Sequence, residues 1–563
     1  MKQDNKQGRK NAPQKKATPK SPPPPVKQEQ GLLTRLDKYF FSKRNFWFLV
    51  CCALCLFFSV LLFDVKMSNA YDDSMYVQAG YKIAHDMHNI YAANAPLYPM
   101  FLSIPIGIFG LKIILLKSIS VILILLNIVL LYLAFRNRVN DSVLFLMMLT
   151  VSVNSYFLYF ASQTFNEAFF LFLQAILIYF IAKNYDSLAA TTSIKQTWKG
   201  WLLIGFLVFL LSISKNIALL AIAAIVLFLL IDRKFLQAVY AAVSFLIFRI
   251  PFQLIGNALA GKSQYTSQSS IIMQIDPYNP SKGMETFDGF VGRFFRNSAL
   301  YLSRRFFQIL GFQSEDSNKV NGAVSAFLVL IFIIALIFVI RNRNKILLFI
   351  SVYSAVMLVG TFTALQVQWD QPRFVMVYVP FILLVIYSGW YYMFRKSSTG
   401  QFFLAAIAFI ILGAGTAATL GKASDNFPIL QRNLSGDIYY GYTPDWINYL
   451  KMSVYCADSL PANSLVGARK APMSFIYGRG KEFYGIATAF SDNADTILTT
   501  FKQNNVTHIL VASLRRNPKR NDGYVINTLQ RLLYPVIQKY PQKLTLVKQI
   551  GESEPAYLYK INY

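Results

Sequence analysis

The sequence predicts an α-helical polytopic membrane protein of about eleven spans, followed by a C-terminal α/β domain outside the bilayer. Three observations predict it. Of 563 residues, 55% are hydrophobic and only 15% charged, and the mean hydropathy is +0.40, an apolar excess that sets the chain apart from ordinary soluble composition. Apolar runs of roughly 20 residues recur between positions 46 and 420, and alternate turns between them are basic. From 421 onward the long runs give way to short strand-like and helix-like stretches.

Fifty-five Lys and Arg against 27 Asp and Glu leave a formal charge of +28. In a soluble protein that would suggest nucleic acid; here it belongs at the membrane edges, and no nucleic-acid partner is expected. Cys51, Cys52 and Cys55 share one apolar run and Cys456 stands alone, so neither a disulfide framework nor a zinc site is predicted.

Residues 1–44 hold twelve basic and three acidic residues and the Pro22–Pro25 run, the composition of a disordered cationic tail lying in the cytoplasm beside anionic lipid. Its length and proline content do not suit a cleaved leader, so the run 46–63 is a retained first span anchored by Lys43 and Arg44. Further spans are predicted at 117–135, 142–160, 167–183, 200–214, 217–231, 235–256, 322–340, 346–365, 373–394 and 401–420, a transmembrane domain over 45–420. The stretch 200–232 is too long for one upright helix. It divides at Lys215, because a charge at the bilayer centre costs at least about 3 kcal/mol.

Every loop assigned to the inside is then basic: Arg136 and Arg138, Lys183 to Lys199, Arg233 and Lys234, Arg341 to Lys345, Arg395 and Lys396. The cell envelope, with a bacterial inner membrane, is the expected location. With the N-terminus inside, 64–116, 257–321 and 421–563 lie outside. In the last, an apolar stretch at 464–467 and an aromatic one at 483–486 alternate with helical signals, a buried strand is predicted at 507–512, and 544–549 and 556–561 form a closing hairpin. Helices are predicted near Met473, over 491–504 and around 526–540, giving a small α/β sandwich.

The first outer segment opens with Asp72 and Asp73. Adjacent carboxylates at the mouth of a membrane protein can act as a general base or as ligands of a divalent cation such as Mg2+ or Mn2+, and their repulsion raises one pKa unless a cation compensates. The simpler alternative is that one of them caps the helix starting at Ser74. Apolar positions at Met75, Ala79, Ile83 and Met87 predict that helix, and a second follows Ala95-Pro96-Leu97-Tyr98-Pro99; both fit an interfacial placement. His85 and His88 are three apart, but with no further ligand nearby they are read as a polar face.

These residues carry a resemblance. A first span, an outer acidic pair Asp72-Asp73 with Tyr76, then Ala95-Pro96-Leu97-Tyr98-Pro99 and a helix ending Phe109-Gly110, resembles the C-type (GT-C) membrane glycosyltransferases of the protein O-mannosyltransferase and aminoarabinose lipid A transferase group. Asn166-Glu167, Ser214-Lys215 and Gln371-Pro372-Arg373 are similar to that group's short motifs, and the outer C-terminal domain suits many bacterial members. Asp73 stands where Glu is common. The resemblance implies a GT-C-like fold, an isoprenyl-phosphate-linked sugar donor and transfer with inversion on the outer face.

The chemistry of such a transfer needs a proton acceptor for the attacking hydroxyl and cations for the leaving phosphate. Asp72 and Asp73 suit the first need. For the second, the outer-side cations are Arg373, Lys215 and the group Arg293, Arg296, Arg304 and Arg305, since a guanidinium binds phosphate through two N–H bonds. The latter four lie on an amphipathic stretch, 287–312, where headgroup snorkelling is the alternative. Arg373 has Asp370 as an alternative structural partner, and Lys215 has Glu167. Arg515, Arg516, Lys519 and Arg520 form a further basic cluster.

The expected function is therefore transfer of a sugar from a polyprenyl-phosphate donor to a lipid, glycan or protein of the envelope. An O-antigen ligase or polymerase, a lipid-linked sugar transporter or flippase, and a non-catalytic scaffold are the competing classes. A transporter would place ionisable groups near the midplane and often repeat its halves, whereas here they gather at the outer ends of spans. No P-loop, strand-linked GxGxxG or HExxH is present.

Overall fold

The computed structural model describes residues 31–563 except 69, 92–94, 261–267, 278–281, 315–316 and 517–522. Each of the eleven apolar runs carries helix. Among the described residues eight helices are long and apolar enough to cross a membrane: Arg44–Leu61, Ile113–Phe135, Asn166–Ala190, Ile194–Ser214, Phe235–Leu259, Gly322–Arg341, Lys345–Ala364 and Ser398–Leu434. The run 142–160 is a pair, Asp141–Ser152 and Ser155–Ala161, bent by 59°. The break has a chemical cause: Asn154 Oδ1 accepts from the N–H groups of Tyr156 and Phe157, starting a new helix, while its Nδ2 donates to the Ile309 carbonyl at 2.7 Å. The remaining runs, 217–231 and 373–394, give the shorter apolar helices Asn216–Ile231 and Val379–Phe394.

The expected division of 200–232 is present. Ile194–Ser214 ends at Lys215, which is extended, and a 3-10 turn at Asn216–Leu219 starts the next helix. At the other end of the bundle the short basic turns find acids. Arg44 pairs with Asp141 at 2.7 Å, Arg138 with Asp186 at 2.9 Å, and Lys345 with Asp232.

The tail departs from expectation. Residues 1–30 lie outside the described residues, but Leu32–Ser42, read as disordered, is a helix. Its Asp37 accepts from the Ser142 amide at 2.9 Å, Asn140 Nδ2 at 3.1 Å and the Tyr391 hydroxyl, and Phe40 stacks on Phe145. Leu33, Leu36 and Phe40 form an apolar stripe that the proline-rich composition upstream obscures.

The final apolar helix also runs further than the span 401–420, as one 37-residue helix, Ser398–Leu434. Its extension holds the start of the first outer loop. Asn426 Nδ2 donates to the Leu61 and Phe63 carbonyls at 3.0 Å each, satisfying the end of the first span, and Asn433 Oδ1 accepts from Lys66 Nζ at 3.0 Å. Asn433, a nominal glycosylation triplet position, is thereby buried and fully engaged.

The C-terminal domain holds five strands in one sheet, β1 (Leu465–Ala468), β2 (Phe483–Gly485), β3 (Val506–Val511), β6 (Leu544–Ile550) and β7 (Ala556–Ile561), and a small hairpin of β4 (Leu514–Arg515) and β5 (Val525–Ile526). The sheet order is β2-β1-β3-β7-β6, parallel among the first three and antiparallel at β7 and β6. Along β3, Ile509 and Val511 pack with the helices Ala494–Gln503 and Thr528–Lys539. Leu510 and Ala512 belong to the opposite face, with Trp446, Tyr449 and Leu450 of the helix Pro444–Ser459. That second face leads to the helical body: the helix Ala471–Tyr477 packs on Tyr71–His85, with Phe475 edge-on to Tyr81 at 5.2 Å.

Candidate active site

From Leu62 to Ser68 the chain is irregular and mostly buried, so its backbone groups need partners within the protein. Lys117 supplies them. Its fully buried Nζ donates to the carbonyls of Asp64 and Lys66 and to Gln163 Oε1. Asp64 pairs in turn with Lys66 at 3.0 Å. Burial pushes the Asp64 carboxyl up, but Lys117 and Lys66 more than offset it and hold it below its ordinary range.

This braced loop positions the acidic pair. Tyr71–His85 begins with both acids in its first turn. Neighbouring helical residues point about 100° apart, so the two carboxylates diverge. Asp73 is fully buried: its Oδ2 accepts from the Ser68 amide and its Oδ1 from the Ser74 amide, each at 2.8 Å. Burial pushes its carboxyl up to about 6, against the opposing pull of Lys117 and these hydrogen bonds. Asp72 is 35% exposed and forms an ion pair with Arg373.

Arg373 opens a short helix, Arg373–Met376, after Pro372. Its guanidinium lies between the rings of Phe165 and Phe374, at 5.2 and 5.1 Å, and its NH1 is 3.9 Å from Glu167 Oε1. Glu167, in the first turn of Asn166–Ala190, is buried and receives Lys215 Nζ at 2.9 Å. Asn166 Nδ2 donates to the Ser214 carbonyl, so the two helix ends meet twice. Tyr76 lies edge-on to Tyr98 and its phenol is pushed up, by burial first and then by Glu167 and Asp72. Asp72, Arg373, Glu167 and Lys215 thus form one alternating chain of charges drawn from four separate stretches of sequence. Arg373 Nε and Glu167 Oε2 are buried there without a hydrogen-bond partner.

The outer domain adds two more cations. Arg469 and Lys470 follow β1, and the Lys470 amide donates to the Tyr449 hydroxyl at 3.0 Å. Burial and Arg469 pull the Lys470 ammonium down to about 8, while Asp73 and Asp72 act in the opposite direction.

The remaining expected cations sit elsewhere. Arg293 is buried, donating to the Ile272 and Gln274 carbonyls and pairing with Glu285 at 2.7 Å, which makes it a brace. Arg304 and Arg305, on the π-helical turn Tyr301–Arg305, both grip Asp370, at 2.8 and 2.5 Å. They steady the segment that carries Arg373. Asp370, considered as Arg373's own partner, is therefore taken by these two. Arg296 is exposed. In the basic cluster of the outer domain Arg515 pairs with Glu554, while Lys519 and Arg520 lie outside the described residues.

A shared divalent cation does not fit the acidic pair. Asp72 is committed to Arg373, both Asp73 oxygens are committed to amides, and among the described residues no group of three or more His, Cys, Asp or Glu could hold a metal. His85 and His88 are exposed, bonded to the Tyr81 carbonyl and to Asp86. The residues that sequence reasoning left out of the site are Glu167, Lys117, Lys66, Asp64, Arg469 and Lys470. Lys117, a cation opening an apolar run, carried the clearest signal.

A helical membrane body, two helices packed together in the first outer segment, and a C-terminal α/β domain over the same end define the GT-C fold. The solved structures agree. ArnT from Cupriavidus metallidurans bound to undecaprenyl phosphate superimposes with a TM-score of 0.54 at 10% identity, over 91% of this chain and 97% of that one. Oligosaccharyltransferase AglB from Archaeoglobus fulgidus, in complex with an inhibitory peptide and a dolichol-phosphate, gives 0.52 at 12% identity, over 92% and 75%. The Archaeoglobus fulgidus oligosaccharyltransferase complexed with Zn and sulfate gives 0.52 at 12%, over 82% and 68%. No protein-family model and no curated protein sequence matches the chain.

Proposed function

We propose that this protein is an integral membrane glycosyltransferase that moves a sugar from a polyprenyl-phosphate donor to a hydroxyl of an envelope lipid, glycan or protein, with inversion at the anomeric carbon. The alternation of basic and non-basic loops supports a cytoplasmic N-terminus, a reaction on the outer face and a bacterial inner membrane. The observation that carries the reading is the Asp72–Arg373 pair, a partly exposed carboxylate beside a guanidinium that is 14% exposed, with Lys215 beyond Glu167 in the charge chain.

Asp72 takes the proton of the acceptor hydroxyl as its oxygen bonds to the anomeric carbon and the bond from that carbon to the phosphate oxygen breaks. The electron pair leaves with the polyprenyl phosphate. Arg373, with an unspent Nε–H, and Lys215 stabilise it; Glu167 holds both cations in place. Asp73 serves by position, fixing the loop from which Asp72 projects.

The test is release of undecaprenyl phosphate from a panel of undecaprenyl-phosphate sugars by the detergent-purified protein, with native envelope supplied as acceptor. Sugar-dependent release by wild type and its loss in Asp72→Asn supports the reading. Undiminished release by a folded Asp72→Asn protein removes its catalytic core, and no release from any donor favours a transporter or a ligase using diphosphate-linked oligosaccharide.

A further inference from the structure

Five carbonyls from Leu61 to Met67 accept from side chains, and the donors come from three distant parts of the chain. Asn426 Nδ2 donates to Leu61 and Phe63, Lys117 Nζ to Asp64 and Lys66, and the Tyr442 hydroxyl to Met67. Asn426 and Lys117 belong to long apolar helices. Tyr442 lies in the turn between Ser398–Leu434 and Pro444–Ser459, where the C-terminal domain begins.

The Met67 carbonyl and the Ser68 amide are the two ends of one peptide unit. A trans peptide is planar and points these two groups in opposite directions. Tyr442 thus holds from one side the same peptide that Asp73 Oδ2 holds from the other, through the Ser68 amide at 2.8 Å. A donor on the carbonyl oxygen polarises the peptide and strengthens its N–H as a donor in turn. Asp72 precedes Asp73 in the first turn of Tyr71–His85, so the direction in which Asp72 projects depends on how this peptide is set.

Tyr442 is itself fixed. Gly441 before it has a φ of +95°, and a Cβ there would come within 2.9 Å of Ile429 Cγ2 and 3.3 Å of Lys66 Nζ, so only glycine brings the turn this close to the loop. The Tyr442 ring stacks on that of buried Trp446 at 6.5 Å, and Lys66 Nζ stands 5.8 Å from its centre. The Tyr477 hydroxyl lies 3.3 Å from the Tyr442 oxygen. The single Tyr442 proton goes to Met67, which makes Tyr477 the donor in that contact. Tyr477 ends the helix Ala471–Tyr477, which packs on the helix carrying the acids.

We propose that Tyr442, backed by Tyr477, is a positioning residue for the transfer: its hydroxyl sets the Met67–Ser68 peptide and, through Asp73, the direction of Asp72. This rests on the transferase reading. The C-terminal domain then completes the catalytic loop as well as lying over it, and chemistry depends on it for every acceptor.

The test uses the full-length protein in detergent as wild type, Y442F and Y477F, with three measurements: hydrogen exchange of the amides of 62–74, undecaprenyl phosphate affinity, and single-turnover release of undecaprenyl phosphate at saturating donor. In Y442F the ring and its packing remain. Exchange over 62–68 is expected to be about fivefold faster. Release is expected to fall by about ten- to a hundredfold, while undecaprenyl phosphate affinity stays within about twofold of wild type. Y477F, which keeps the Tyr442 bond to Met67 but removes its support, is expected to show the same pattern at smaller size, and it decides the matter should Y442F not fold. Unchanged exchange overturns the clamp. Faster exchange with undiminished release overturns the positioning role, and so does a loss of undecaprenyl phosphate affinity as large as the loss of rate, since it would assign the loop to donor binding. Should wild type release nothing, the transferase reading falls separately, and faster exchange in Y442F still supports the hold of Tyr442 on the loop.

Discussion

Asp72 and Arg373 are 301 residues apart in sequence, yet the carboxylate of one and the guanidinium of the other form an ion pair at the mouth of the helical body. One follows the helix Arg44–Leu61 and the other opens the approach to the helix Val379–Phe394. The pair joins the group proposed to take a proton to the group proposed to receive a phosphate. A donor phosphate competes with Asp72 for Arg373, so donor binding is expected to free the carboxylate for the acceptor hydroxyl.

Two substitutions separate those roles. Asp72→Asn is expected to lower single-turnover transfer by about 10²- to 10⁴-fold while leaving undecaprenyl phosphate affinity unchanged or improved, since the competitor for Arg373 is weakened. Arg373→Gln is expected to weaken undecaprenyl phosphate binding by about tenfold or more, and Arg373→Lys to restore only part of it, because the ammonium lacks the two-pronged geometry. Equal donor affinity in Arg373→Gln and wild type would remove Arg373 from the phosphate site.

Glu167 and Lys215 should behave as a coupled buried pair. The carboxylate is 3% exposed and the ammonium 19%. Lys215→Met is expected to destabilise the protein by about 3 kcal/mol, since Arg373 at 3.9 Å compensates Glu167 incompletely. The double variant Glu167→Leu/Lys215→Met should be more stable than Lys215→Met alone, because no uncompensated charge remains buried. Thermal unfolding of wild type, Glu167→Leu, Lys215→Met and the double variant in one detergent gives the coupling energy, and simple additivity would show that the pair is not coupled.

Asp73 predicts a pH dependence. Its carboxyl lies at about 6 in the folded protein against an ordinary 3.8. A folded value above the unfolded one means a stability contribution fully present below about pH 4 and lost as pH rises through 6. Relative to Asp73→Asn, wild type should therefore lose on the order of 3 kcal/mol between pH 4 and pH 7.5. Lys117 and Lys470 act on the same carboxylate, so the comparison is made between these two proteins across pH. A stability difference that does not vary with pH would show that Asp73 ionises normally.

The helical body was legible because a bilayer leaves few options: apolar runs of span length must be helical, and Lys215 had to divide 200–232 or else be stranded in lipid. In the outer domain, strand-like alternation and its flanking turns located β1, β2, β3, β6 and β7 within a residue or two. The helix Pro444–Ser459 and the hairpin β4–β5 were not anticipated; the first has a mixed polar sequence and the second only two residues a side. Asp72 was legible from its neighbour and its place after a span. Its division of labour with Asp73 was not, because exposure and hydrogen bonding depend on Ser68, Lys117 and Arg373, which local pattern does not connect. Arg469 and Lys470 read as an ordinary turn beside a strand, and only the docking of Phe475 on Tyr81 brings them to the acids.

The last prediction concerns metal removal. A divalent ion on the acidic pair would have to take Asp72 from Arg373 and Asp73 from two amides. Both exchanges are unfavourable, and adding two further positive charges beside Arg373, Lys117 and Lys470 makes them more so. Transfer by the purified enzyme is therefore expected to persist within about twofold after EDTA treatment, and added Mg2+ or Mn2+ should leave the Asp72→Asn defect unchanged. Activity lost to EDTA and restored by either cation would mean that donor binding reorganises the loop, turning Asp72 from the guanidinium to a metal that the diphosphate or monophosphate of the donor helps to hold.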